Sequence, residues 1–165
     1  MKRLILIRHA KSSWKQPQLS DHERPLNKRG KRSIELMRQH LAKQPPKLEM
    51  LYSSSATRAL TTAVGLADAV SIDGQVEIAD TLYDFDWQPI WRFLSHQPDA
   101  LCSLALVGHN PALQQLYQQI TLETLDHLPT CGLLELELEI ESWDQLAAGC
   151  GQLSQSIFPK QLLDR

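Results

Sequence analysis

The chain has 165 residues, 42% of them hydrophobic and 22% charged. At ~150 residues per domain this predicts one domain over 1–165, large enough to bury a core without a disulfide or metal staple. Seventeen Lys and Arg against nineteen Asp and Glu give a net charge of -2, which argues against a broad polyanion-binding surface and against nucleic acid as a partner, but allows a local basic pocket. No apolar run approaches the ~20 residues of a membrane span, and Leu4–Ile7 is too short for a secretory signal core. Cys102, Cys131 and Cys150 follow no metal or redox spacing. The expectation is a cytoplasmic protein with reduced cysteines, away from membranes.

Lys2 to Arg8, with Leu4-Ile5-Leu6-Ile7 at its centre, reads as a strand buried on both faces. Ile34, Met37 and Leu41 repeat at helical spacing between Lys28 and Lys43, with Asn27 as N-cap. Leu48 to Tyr52 is a second strand. Ser53-Ser54-Ser55 then offers a cap for a helix over Ala56 to Val70. A third strand is predicted at Gln75 to Ile78 and a helix at Pro89 to Ser95; Trp87 and Trp91, four residues apart, read as ordinary helix packing. Ser103 to Val107 is again a short apolar strand. Asn110 and Pro111 then mark the start of a helix over Ala112 to Ile120. Leu134 to Ile140 alternates with Glu135 to Glu141, a strand with one wet face, and Gln152 to Phe158 is an edge strand closed by Pro159. Strands alternating with helices predict a three-layer α/β/α sandwich around a mostly parallel sheet, with the chemistry beyond the carboxyl ends of the strands.

Three strand ends carry unusual side chains: Arg8-His9-Ala10-Lys11-Ser12, Ser53 to Arg58, and Gly108-His109-Asn110. If the strands are parallel neighbours, two histidines and two arginines meet at one rim. Guanidinium forks match phosphate oxygens, and helix N-termini add N–H donors. A neutral imidazole there is a competent nucleophile toward phosphorus. No Gly-rich loop ending in Gly-Lys-Ser/Thr is present, so cradling of a nucleoside triphosphate is not suggested. Arg24, Lys11 and Ser12 are candidates for substrate binding at the pocket rim, and Asp21 either pairs with Arg24 in the loop or helps to shape the anion pocket with it. His22, His40, His96 and His127 read as solvated or structural.

Arg8-His9-Ala10 resembles the Arg-His-Gly signature of the histidine phosphatase (phosphoglycerate mutase-like) superfamily, with Ala10 where the family usually has Gly. Ser53 to Thr62 resembles its Ser-Ser-x-x-x-Arg-Ala-x-x-Thr segment, and Val107 to Pro111 its late histidine motif. The short chain, with Ser20 to Leu26 early and Leu128-Pro129-Thr130 late, is most similar to the SixA-type phosphohistidine phosphatases. The resemblance implies a phosphoglycerate mutase-like fold and a covalent mechanism without metal or cofactor. In it His9 attacks phosphorus, while Arg8, Arg58 and His109 hold the phosphoryl oxygens and spread their charge in the transition state. Flanking arginines would repel a metal cation.

Larger members carry a carboxylate acid downstream of the second arginine. Here the candidates in that region are Asp84 and Asp86, with Asp84 kept as general acid. An alkoxide leaving group benefits from such an acid, whereas a protonated phosphoimidazole leaves as neutral imidazole. A weak acid motif therefore favours phosphohistidine, and the short chain leaves little room for a cap over a small metabolite. The expected partner is a phosphohistidine-bearing signalling or phosphotransfer protein. Two alternatives stand beside it: a phosphomonoesterase or mutase acting on a small phosphate ester, and a phosphate-binding module without turnover. The sequence gives no oligomeric state.

Overall fold

A computed structural model describes residues 1–163 of the chain. Among these residues β1 (Lys2–Arg8), β2 (Met50–Ser53), β3 (Glu77–Ile78), β4 (Ser103–Gly108), β5 (Leu133–Leu138) and β6 (Gly151–Ile157) form one sheet in the order β3-β2-β4-β1-β5-β6. The β3-β2, β2-β4 and β4-β1 pairings are parallel; β1-β5 and β5-β6 are antiparallel. The helices are α1 (Lys28–Lys43), α2 (Thr57–Val70), α3 (Trp87–Ser95), α4 (Ala112–Thr121) and α5 (Pro159–Leu163). None of them is long and apolar enough to cross a membrane.

The unbroken apolar run of β1 is explained by its two faces. Ile5 and Ile7 pack with Ile34, Met37, Ala63 and Leu66 of α1 and α2. Leu4 and Leu6 pack on the opposite side with Ile90, Leu94, Leu113 and Leu116 of α3 and α4. Two cores thus sandwich the sheet, giving the α/β/α layers that the alternation predicted.

Local chemistry sets the element ends. Asn27 Oδ1 accepts the Gly30 N–H at 2.8 Å, as its N-cap role requires. The triple serine does not cap α2 as expected: Ala56 holds the N-cap position without a side-chain bond, and Ser54 Oγ accepts the Ala56 N–H at 3.2 Å. α3 starts two residues earlier than Pro89, because Asp86 accepts the Gln88 N–H at 3.1 Å and Trp87 joins the helix. Its Trp87–Trp91 pair meets edge-on at 5.7 Å. Pro111 takes the N-cap position of α4, and Asn110 Oδ1 accepts the Gln114 N–H at 3.3 Å. Glu135 and Glu137 are half-buried because β5 is an interior strand paired by β6, so the glutamate face is less wet than its alternation implied. α5 follows where Pro159 was expected only to stop a strand, since proline suits the first turn of a helix.

Candidate active site

β1 ends at Arg8, which frees His9 from strand alternation, so both side chains can serve one pocket. The backbone here is held from several sides. The His9 N–H donates to the Gly108 carbonyl at 3.0 Å, and Cys131, at φ 62, aims its N–H at the carbonyls of Arg8 (2.9 Å) and His9 (3.1 Å). The Ala10 N–H donates to the Thr62 hydroxyl at 2.9 Å. Ala10 lies outside the left-handed region and its methyl is fully buried in the core, so the family's Gly is not needed for this turn.

His9 is 8% exposed. Its Nδ1 lies 2.7 Å from the Ala10 carbonyl, which can only accept; Nδ1 therefore carries the proton and Nε2 keeps its lone pair. Burial, reinforced by Arg58, Arg8 and Arg24, outweighs that hydrogen bond and lowers the His9 pKa to about 4. The ring is neutral at pH 7.

His109, from the end of β4, is 1% exposed, with its ring centroid 5.1 Å from that of His9. Arg58 Nη2, a donor only, lies 3.5 Å from His109 Nδ1, so Nε2 carries the proton toward Ser54 Oγ at 2.8 Å. Burial first, then His9 and Arg58, lowers its pKa to about 3.

Three guanidinium groups complete the pocket. Arg58, in the first turn of α2, is 3% exposed and donates to the Asp21 carbonyl at 2.6 Å and to Asp21 Oδ2 at 3.0 Å. Arg24 donates to Asp21 Oδ1 at 3.0 Å and to the Ser12 hydroxyl, and stacks 3.3 Å above Trp14. Arg8 donates to the Leu128 carbonyl at 3.0 Å, but its Nε is buried without a partner, and burial lowers its pKa. An orphaned guanidinium N–H beside other cations is what an anionic ligand satisfies.

The structure brings together His9, Arg8, Arg58 and His109 as the sequence predicted, with Arg24 alongside. Ser12 acts as an acceptor for Arg24. Lys11 is the exception at the rim. Its carbonyl accepts the Asn27 N–H at 3.0 Å, while its exposed side chain lines a neighbouring groove with Arg29 and Arg32. Asp84 does not reach the histidines either: its exposed carboxylate accepts the Asp86 N–H at 2.9 Å, an Asx turn leading into α3. Asp86 is committed to capping that helix.

The carboxylate that does occupy the site is Asp21. Tyr83 Oη donates to it at 2.7 Å, beside Arg58 and Arg24. Burial would raise its pKa, but the hydrogen bonds from Tyr83 and Arg58 and the charges of Arg58 and Arg24 hold it at about 2. His22 also belongs here, with Nε2 3.0 Å from Ser55 Oγ and its ring edge-on to Tyr83 at 4.9 Å. Tyr83 and Phe85 flank His109 at 5.5 and 5.3 Å. The Asp21–Arg24 pairing expected from sequence is present: the Ser20-x-x-Glu23 capping box starts a 3-10 turn that holds Asp21 three residues before Arg24.

Among the described residues no three His, Cys, Asp or Glu side chains cluster as a metal site. An uncharacterized chloroplastic protein of Arabidopsis thaliana is 28% identical over 160 residues, spanning 91% of this chain and 72% of its own. An uncharacterized protein of Mycobacterium tuberculosis is 28% identical over 159 residues, 89% of this chain and 96% of its own. The SixA structure from Agrobacterium tumefaciens superposes with a TM-score of 0.80 at 24% identity, covering 96% of this chain and 98% of that one. The protein histidine phosphatase SixA solved with tungstate gives 0.78 at 19% identity, covering 97% and 99%. A mycobacterial glucosyl-3-phosphoglycerate phosphatase gives 0.68 at 14% identity, covering 94% and 98%. These likenesses fix a phosphoglycerate mutase-like fold, on which His109 is brought to the pocket from beyond the stretch that matches in sequence. That stretch, residues 4–100 of 165, includes Arg8, His9 and Arg58 and matches the model of branch 1 of the histidine phosphatase superfamily, to which the chain belongs.

Proposed function

We propose that this phosphatase removes the phosphoryl group from phosphohistidine on a protein, through a phosphorylated His9. The observation that carries the substrate class is the state of the carboxylates. Asp84 is tied to the Asp86 amide, and Asp21 is held ionised by Arg58 and Tyr83, so neither offers a proton to a departing alkoxide. A ring-protonated phosphoimidazole needs none.

The chemistry balances without an added acid. The His9 Nε2 lone pair attacks phosphorus, and the substrate's N–P bond breaks with its electrons going to a neutral imidazole. The Nδ1 proton of His9 stays on the ring, held by the Ala10 carbonyl. Phospho-His9 is therefore a ring-protonated phosphoimidazole like the substrate. Water then attacks phosphorus, the His9 N–P bond breaks, His9 returns neutral, and the water's protons leave with dihydrogen phosphate. Arg8 and Arg58 stabilise the charge on the equatorial oxygens, and His109 joins them as a donor by taking up a proton at Nδ1 once the phosphoryl group draws Arg58 away from it; losing one such donor costs about 3 kcal/mol of barrier.

The SixA-like fold supports this reading. The lower-scoring likeness to a glucosyl-3-phosphoglycerate phosphatase supports a second one, hydrolysis of a small phosphate ester. Phosphate release from a phosphohistidine protein and from p-nitrophenyl phosphate, in EDTA, decides between them. Wild type is expected to clear phosphohistidine efficiently and the ester poorly, and His9→Ala to do neither. An ester turned over better than phosphohistidine makes the second reading the correct one. No turnover of either leaves a phosphate-binding module.

A further inference from the structure

A second feature adjoins the pocket. Lys11, Arg29, Arg32 and Lys160 line a groove of about 500 Å³ together with Pro129 and Thr130. These cations are exposed and, among the described residues, no carboxylate pairs with any of them. The groove is continuous with the catalytic segments through the chain itself. Lys11 is two residues after His9, and Thr130 precedes Cys131, whose N–H holds the carbonyls of Arg8 and His9.

The local arrangement is unfavourable for folding alone. Lys28, Arg29, Lys31 and Arg32 fill the first turns of α1, where no acidic residue stands in the first turn. Cations there oppose the helix dipole, and like charges three and four residues apart repel. Gly30 between them is closed against the Lys11 backbone, so the side chains on either side are directed outward and stay exposed. In a chain of net charge -2 this is a concentrated patch of the opposite sign.

Resting on the phosphohistidine reading, we infer that this groove docks the acidic face of the substrate protein around its phosphohistidine. Charge complementarity selects the partner: carboxylates flanking the phosphorylated residue meet Arg29, Arg32 and Lys160 while the phosphoryl group enters between Arg8, Arg58 and His109. Such contacts act mainly on encounter and on discrimination between partners, and weaken with salt.

The test uses two synthetic peptides of equal length, each with a central phosphohistidine, one flanked by Asp and Glu and the other by Lys, with phosphoramidate as a substrate lacking any flank. Wild type should favour the acidic peptide by about tenfold in kcat/KM at low salt, and lose that preference as salt rises. The double variant Arg29→Glu/Arg32→Glu should abolish or invert the preference and leave phosphoramidate turnover unchanged. Its thermal midpoint should hold or rise, because glutamate suits that end of a helix. Equal preference in wild type and variant overturns the groove and leaves the phosphohistidine reading standing. Hydrolysis of phosphoramidate with neither peptide cleaved by wild type overturns both. If the variant instead loses affinity for a single-stranded oligonucleotide while keeping its peptide preference, the groove serves nucleic acid and the inference fails.

Discussion

At the scale of single residues, the site depends on keeping two imidazoles neutral beside three guanidinium groups. The His9 pKa is lowered to about 4 and that of His109 to about 3, against ~6.5 in an unfolded chain. Between these values the unfolded state binds more protons than the folded one, so stability is fully present above pH ~6.5 and falls as pH drops toward about 4. Thermal midpoints across that window should show this slope, and His9→Asn should reduce it to the share contributed by His109. NMR titration of the His9 ring should give a midpoint near 4 rather than 6.5. Asp21 offers a second test. Its carboxylate occupies the Arg58 and Arg24 donors in the free enzyme, so an incoming phosphoryl group has to displace it. Asp21→Asn should bind inorganic phosphate about tenfold more tightly, measured as product inhibition, and a weaker inhibition would count against this competition.

At the scale of elements, much was legible because period and strand ends were clean. The apolar run of β1, the helical spacing of Ile34, Met37 and Leu41, and the Asn27 cap read directly into structure. So did the meeting of Arg8, His9, Arg58 and His109, because parallel neighbouring strands expose their carboxyl ends on one side. What sequence could not show was the folding-back of 11–26. Polar composition there reads as a loop, yet Arg24 is buried and Asp21 binds Arg58 across 37 positions. Asp84 is engaged outside the pocket for the converse reason. An Asp two residues before another Asp at a helix start is taken up by turn and cap bonds, which are local and compete with any role in the pocket. Gly30 connects these levels, since a Cβ there would overlap the Lys11 carbonyl. Gly30→Ala should destabilise the fold by about 1–3 kcal/mol and lower kcat more than it raises KM, because α1 would be pushed from the segment that follows His9. Calorimetry and steady-state kinetics on the same variant check both halves.

At the scale of the whole molecule, β1 lies between β4 and β5 and contributes side chains to both cores. His9 follows that strand directly, and its backbone is bonded to the strand end of β4. His9, the proposed nucleophile, is therefore anchored in the segment that would open last, while loops and the edge strands β3 and β6 fray first. One consequence concerns how the enzyme fails. His9 is bonded through its backbone to Gly108 at the end of β4 and to Cys131 just before β5, so its loss of position is expected to follow the loss of the central sheet, and catalytic competence becomes a gauge of global cooperativity. In a urea titration the loss of turnover and the loss of far-ultraviolet ellipticity should trace one curve with one midpoint.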